Sequence, residues 1–279
     1  MIPFDFEYYQ PHSIREAVQL FYKLYREKKQ PLYYGGGTEI ITLGRNKQAF
    51  TKAVIDIKEI PECNVLGQHK NHLVLGTALT LTQVAEASVF PLLGKTAAKI
   101  ADHTARNKIT LGGNIVGEVP YREAVLPFLL TNSTLVVAGM EGVRYVPIHQ
   151  MFIEKLRLNK GEFLVQMITD IEYVTLPYYT VKKRKLEKID YPLVTMSALK
   201  KGNNIRMAFS GLCAFPFRSL YMEAEINNHS LRMEERIERT ILQIPASVLD
   251  DLRGSKDYRL FVLKNMLLDM VTSFEGGSV

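Results

Sequence analysis

Two short glycine-bearing segments hold the residue types in this chain best suited to gripping a phosphate. Gly35-Gly36-Gly37 follows the apolar run Pro31-Leu32-Tyr33-Tyr34 and is closed by Thr38-Glu39-Ile40, and Gly112-Gly113 sits inside Thr110-Leu111-Gly112-Gly113-Asn114. A residue without Cβ lets main chain approach a ligand closely, and clustered backbone N–H groups attract anions. Neither segment runs on into Gly-Lys-Ser/Thr, and neither has the G-x-G-x-x-G spacing of a dinucleotide fingerprint. Both read as tight turns. Asn114 adds an amide that can donate to an anion or read the edge of a heterocycle. Upstream, Arg106-Asn107 could neutralise a pyrophosphate. Glu123, beyond the second segment, could accept from ribose hydroxyls. The basic run Lys182-Lys183-Arg184-Lys185 lies between Tyr179 and Asp190-Tyr191-Pro192, and reads either as a solvated face or as the source of a ligand-facing lysine.

Other chemistries find no support. Ser210-Gly211 is not a nucleophile elbow, and no H-E-x-x-H or clustered His/Asp set offers metal ligands. The histidines at 12, 69, 72, 103, 149 and 229 are scattered, and the His69/His72 spacing fits a turn entering a strand. No metal site is expected. Cys63 and Cys213 are too few and too far apart for a disulfide framework or for an iron–sulfur cluster held by this chain. They read as reduced thiols of a cytosolic protein. Lysine and arginine number 35 against 29 acidic residues, a net charge of +6 spread along 279 residues. That excess lacks the module and the gathered basic face of a nucleic-acid binder. Met1 to Glu7 shows no basic-then-apolar leader, and no apolar run reaches the ~18 residues of a membrane span. The expected location is the cytoplasm.

These candidates need elements to position them. Ser13-Ile14-Arg15-Glu16 reads as a capping box opening a helix whose Ile14, Ala17, Val18, Phe21, Leu24 and Tyr25 share one face. Pro31–Tyr34, Ala53–Ile57 and His72–Gly76 read as strands, Thr80-Leu81-Thr82-Gln83 as a second helix start, and Leu92 to His103 as helix. Ser133–Gly139 and Val143–Pro147 resemble a hairpin. Beyond residue 170, Ile171–Leu176, Leu193–Leu199 and Ile205–Phe209 read as strands, with a turn at Gly202-Asn203-Asn204. Mostly helix follows Ser219, ending with a helix from Lys256 to Thr272. Strands followed by helices predict an α+β module, with a boundary near residues 168–172.

Several of these segments, taken in order, resemble the flavoprotein (medium) subunit of the molybdenum hydroxylases, the group that includes xanthine dehydrogenase and carbon monoxide dehydrogenase. Phe6-Glu7-Tyr8-Tyr9-Gln10-Pro11 is similar to the family's opening, and Gly35 to Ile40 to its first flavin loop. Arg106-Asn107-Lys108-Ile109-Thr110-Leu111-Gly112-Gly113-Asn114 resembles its most specific signature. Gly161-Glu162, Phe215-Pro216-Phe217-Arg218, and the stretch from Asp251 through Arg253 and Ser255 to Tyr258-Arg259 are similar to later family motifs.

The resemblance implies a two-subdomain FAD-binding domain of PCMH type over residues 1–170 (about 1–57 and 58–170). A C-terminal flavoprotein domain over 171–279 would follow, with a three-stranded sheet plus helices. It implies FAD held by Tyr33, Tyr34, the Gly35–Ile40 loop, Arg106, Asn107, Thr110, Gly112, Gly113, Asn114, Glu123, Leu164, and Lys182 or Lys183. Molybdopterin and 2Fe–2S clusters would sit on a large and a small partner subunit, commonly in a dimer of heterotrimers. Electrons would reach this FAD from the clusters and leave to NAD or another acceptor, with no proton-transfer residue required here. Three positions depart from the pattern: Glu123 stands where aspartate is usual, Val119-Pro120 replaces Asp-Pro, and two lysines compete for one role. A free-standing FAD oxidoreductase of similar fold and a structural subunit that has lost FAD are the competing readings.

Overall fold

The computed structural model describes residues 4–185 and 190–276; Met1–Pro3, part of the leader reading, lie outside the described residues. The first unit is parallel. β1 (Glu7–Tyr9), α1 (Ile14–Arg26), β2 (Leu32–Tyr34), α2 (Thr38–Arg45) and β3 (Ala53–Asp56) give a sheet of order β1-β3-β2. Parallel neighbours need crossover segments, and the two helices supply them. The Ser13 hydroxyl caps α1 by accepting from the Glu16 amide at 3.2 Å, and Ala17, Val18, Phe21 and Leu24 form its buried face. The Glu16 carboxylate reaches back to the His12 amide (2.8 Å), one residue beyond the position a capping box requires.

The middle of the chain builds a five-stranded antiparallel sheet and a layer of short helices. In chain order these are β4 (Leu66–His69), β5 (His72–Gly76), α3 (Leu81–Glu86), α4 (Pro91–Ala97), α5 (His103–Arg106), α6 (Leu111–Val116), α7 (Leu126–Leu130), β6 (Thr134–Gly139), β7 (Gly142–Pro147), α8 (Ile148–Met151), the small hairpin β8 (Phe152–Ile153) and β9 (Lys155–Leu156), and β10 (Phe163–Asp170). The sheet order is β4-β5-β10-β6-β7. Alternation along β6 sends Leu135 and Val137 into the core beneath the helices, and Val136 and Ala138 into the core shared with α1. The sheet is therefore covered on both faces, and the second glycine segment attaches beside it through the Gly112 amide on Thr77 O.

Three expectations change here. Gly112-Gly113 is no turn: Thr110 caps α6 by accepting from the Gly113 amide at 3.1 Å, and both glycines lie in that helix's first turn. The helix expected from Leu92 to His103 breaks after Ala97, and Ala101 adopts a left-handed φ of 48° before α5 begins. Ile171–Leu176 is not a strand; Ile171–Tyr173 is a 3₁₀ turn whose Ile171 amide donates to Asn71 O at 2.8 Å. The strand comes later, as β11 (Tyr178–Lys183), and carries the basic run's first two lysines.

β11 pairs antiparallel with β12 (Val194–Lys201), then β13 (Asn204–Ser210) and β14 (Phe217–Arg218), so a two-residue fourth strand edges the expected three-stranded sheet. One face of this sheet packs on α9 (Leu220–Ile226), α10 (Met233–Leu242) and α11 (Lys256–Glu275). The other face turns Thr195, Ser197 and Ala208 toward the middle unit. No helix among the described residues is long and apolar enough to cross a membrane.

Candidate functional site

β2 and β3 end level, with Tyr34 opposite Asp56, so the first glycine loop leaves the sheet at its carboxyl edge and runs directly into α2. Ligands commonly bind parallel sheets at that edge, where helix N-termini converge. Gly37 is the N-cap of α2 and has φ 71°, a conformation that demands glycine, and no side chain caps the helix. Its first N–H groups remain available to an anion. Tyr34 packs over Gly37, while Tyr33 is half-buried against Phe21 and Phe163 and donates from its hydroxyl to Gly161 O at 3.0 Å. Burial pushes the Tyr33 phenol up and keeps it neutral.

The two glycine segments meet. A side chain at Gly36 would overlap the Lys108 carbonyl oxygen, and a Cβ at Gly35 would lie 2.7 Å from Thr110 Oγ1. Glycine here serves the close approach of one loop to the other. Gly113 differs: a Cβ there would meet only the Thr110 hydroxyl, at 2.9 Å, so the space beside it is open to a ligand. Glu39, in the first turn of α2, accepts from the Glu118 amide at 2.8 Å and closes the far side of the contact. Thr38 is exposed beside it, and Ile40 is half-buried. Asn114 accepts from the Ala124 amide (3.1 Å) through Oδ1, which leaves its NH₂ as a donor and fixes the chain just after Glu123. The Gly112 amide donates to Thr77 O at 2.9 Å, and the Thr77 hydroxyl donates to Leu164 O, also at 2.9 Å; Leu164 itself is buried in β10.

Glu123 is not a ribose-facing surface carboxylate. It is 2% exposed, and Lys182 Nζ lies 2.6 Å from its Oε1, with the Thr195 hydroxyl donating to the same oxygen at 3.2 Å. Lys182 also donates to Lys99 O at 3.1 Å, where Arg184 Nη2 joins it at 2.7 Å. Burial pushes Glu123 up and Lys182 down, and each one's charge opposes the shift of the other. Of the two competing lysines, the fold turns Lys182 inward and leaves Lys183 exposed. Alternation along β11 requires such a split.

Arg106 and Asn107 are placed differently from the pyrophosphate role considered for them. Arg106 Nη1 donates to Ile100 O and Ala101 O, closing its own turn, and the Asn107 amide sits 3.3 Å from the His103 ring. Sequence reasoning missed Lys58 and Asp56. Lys58 Nζ donates to Gly35 O at 3.1 Å and to the buried Asp56 carboxylate, which also accepts from Tyr8. An ordinary Asp-x-Lys after a strand gives no local signal of this; only the parallel register brings it to the glycine loop. The motif residues near the C-terminus are structural. Arg259, fully buried, donates to Leu193 O, Gly211 O and Asp251 Oδ1, tying the start of α11 to the sheet. Arg253 lies over the stacked rings of Tyr121 and Tyr191.

Residues 4–169 match the family described as the FAD binding domain in molybdopterin dehydrogenase. The xanthine dehydrogenase FAD-binding subunit of Escherichia coli O157:H7 is 26% identical over 291 residues, covering 96% of each chain. Among solved structures, a carbon monoxide dehydrogenase of Hydrogenophaga pseudoflava superposes with a TM-score of 0.85 at 23% identity over 96% of each chain. Quinoline 2-oxidoreductase from Pseudomonas putida 86 gives 0.84 at 21% identity, covering 98% of this chain and 97% of that one. At these identities the structural likeness speaks for the fold.

Proposed function

The chain belongs to the family of FAD-binding domains of molybdopterin dehydrogenases, and from that premise we propose that it is the FAD-carrying electron-transfer subunit of a molybdenum hydroxylase. The observation that carries the reading is the junction of the two glycine segments, with the uncapped start of α2 on one side and the open space at Gly113 on the other. The donors there suit FAD: backbone N–H groups for the diphosphate, and the Asn114 amide for a neighbouring polar edge. FAD, when bound, supplies a store for two electrons that can leave as hydride. The chain's own residues bind and orient. Gly35–Ile40, Thr110 and Gly112–Asn114 form the cradle, and Glu123 with Lys182 closes it from the C-terminal side. No side chain is assigned a proton to move, because the buried Glu123–Lys182 pair is internally satisfied.

The reading divides the chain into an FAD-binding part over 1–170 and a C-terminal domain over 171–279. It gives the chain two partners, a small iron–sulfur subunit and a large molybdopterin subunit, in a cytoplasmic dimer of heterotrimers. Bound FAD would take electrons from the partner's clusters and give them to NAD or another acceptor. The name of the Escherichia coli relative favours a xanthine dehydrogenase-like complex. The test is an absorbance spectrum of the purified chain after incubation with FAD and desalting, repeated on the complex co-expressed with its partners. Flavin bands near ~370 and ~450 nm, released as FAD on denaturation, are expected. A folded complex that releases no FAD on denaturation refutes the reading.

A further inference from the structure

We infer that Lys58 is a cofactor-binding residue whose ammonium contacts the diphosphate of FAD; the inference rests on the FAD reading above and deepens it. The chain leaves β2 and β3 at one edge of the parallel sheet, since Tyr34 and Asp56 are register partners and the Ile57 amide donates to Tyr34 O at 3.0 Å. From β2 it enters the glycine loop; from β3 it enters Lys58. The lysine is not a free surface charge. Asp56, fully buried, accepts from the Lys58 amide at 3.0 Å, from its ammonium and from the Tyr8 hydroxyl. The same ammonium donates to Gly35 O at 3.1 Å and lies 4.8 Å from the centroid of the Tyr34 ring. Its position against the backbone of the first glycine loop is thus fixed from three directions, while the side chain stays 40% exposed. An ammonium has three donors. Two are engaged, and the third is free for a ligand on that loop.

Charge balance supports the same assignment. A diphosphate brings two negative charges to a loop that already carries Glu39, and a helix N-terminus offers only about half a positive charge. Arg106 is turned to its own carbonyls, and Lys182 is paired with Glu123. Lys108 reaches the loop through its carbonyl. Among the described residues Lys58 is a cation tethered directly to that loop's backbone, whereas Arg122, the cation near Glu39, donates to Glu154 O.

The test titrates the full-length, flavin-free chain with FAD and with riboflavin, which lacks phosphate, following flavin fluorescence in low and high salt. Lys58→Met should weaken FAD binding about tenfold, the scale of a charge-assisted hydrogen bond, and flatten its salt dependence. Riboflavin binding should not change, the melting temperature should fall modestly because the buried Asp56 keeps only its Lys58 amide and Tyr8 donors, Lys58→Arg should recover most of both losses, and Lys108→Met should match the parent. Unchanged FAD affinity in Lys58→Met overturns the assignment. So does an equal loss for FAD and riboflavin, which would make Lys58 a prop for the loop alone. A parent chain and complex that bind neither flavin would instead defeat the FAD reading, and Lys58's role with it.

Discussion

Replacing Lys182 with methionine isolates the energetics of the buried pair. The parent holds Glu123 and Lys182 at 2.6 Å with side chains 3% and 2% exposed, at the seam between the C-terminal sheet and the middle unit. Methionine fills much of the lysine's volume, so the change removes charge more than packing. It leaves a buried carboxylate with one described donor, the Thr195 hydroxyl at 3.2 Å. Breaking a buried pair from one side costs about 3–5 kcal/mol. The alternative for Glu123 is to take a proton, because burial already pushes it up and the opposing Lys182 charge is gone. A carboxyl raised in the folded state favours folding below its unfolded pKa of ~4.3 and loses that contribution as pH rises through the folded value. The deficit of Lys182→Met should therefore be smallest near pH 5 and grow toward pH 8, by up to ~1.4 kcal/mol per pH unit while one proton is involved. Urea denaturation at a series of pH values measures this. Adding Glu123→Gln to Lys182→Met should restore much of the stability and remove the pH dependence. A deficit that is small and flat with pH would refute the burial argument.

Two further outcomes follow from named contacts. Gly113→Val puts a branched side chain into the space beside the second glycine segment, where only the Thr110 hydroxyl stands within contact. The variant should fold and lose FAD uptake, and a spectrum matching that of the parent would show that this space is not part of the cradle. Arg236, buried under α11, donates to Ile226 O at 2.7 Å and to both oxygens of Glu275 at 3.0 and 2.6 Å. The Arg236 hydrogen bonds hold Glu275 below its ordinary 4.5, so this contact stabilises the fold above that pH and is lost as pH falls through the lower folded value. Arg236→Met should cost about 1–3 kcal/mol at pH 7 and less at pH 3, read from urea midpoints.

Local signals in the sequence were followed faithfully where one element decides the outcome. Ser13 caps α1, Thr80 makes a complete capping box with Gln83, and Gly139 opposite Gly142 ends the β6–β7 hairpin. β10 left no such signal, although it is the middle strand of the five. Phe163-Leu164-Val165 and Met167 are buried on both faces, so the alternation that marks a half-exposed strand is missing. Ile171–Leu176 has the alternation and is not a strand, because Pro177 follows and the Ile171 amide is drawn to Asn71 O. The site shows the same divide. Glycine, threonine and asparagine at the loops were legible by type, but the partnership of Glu123 with Lys182, or of Lys58 with Gly35, depends on strands brought together from distant parts of the chain.

The segments that carry the resemblance do two kinds of work, and this limits what the resemblance reports. Gly35–Ile40 and Thr110–Asn114 form the junction of the two glycine segments. Arg218, in a later motif, forms a bidentate pair with Glu223 and donates to Leu129 O and Asn132, binding the C-terminal sheet to α7. Arg259 and Asp251 lock α11 against β12 in the same way. Gly161, at φ 77°, packs on Tyr22 and takes the Tyr33 hydroxyl on its carbonyl, pinning α1 and β2 to the five-stranded sheet. Two of the shared motifs thus set how the units dock. Docking in turn is what brings Lys182 from β11 to Glu123 beyond α6. The shared motifs therefore speak for the docking of the units as well as for the glycine junction.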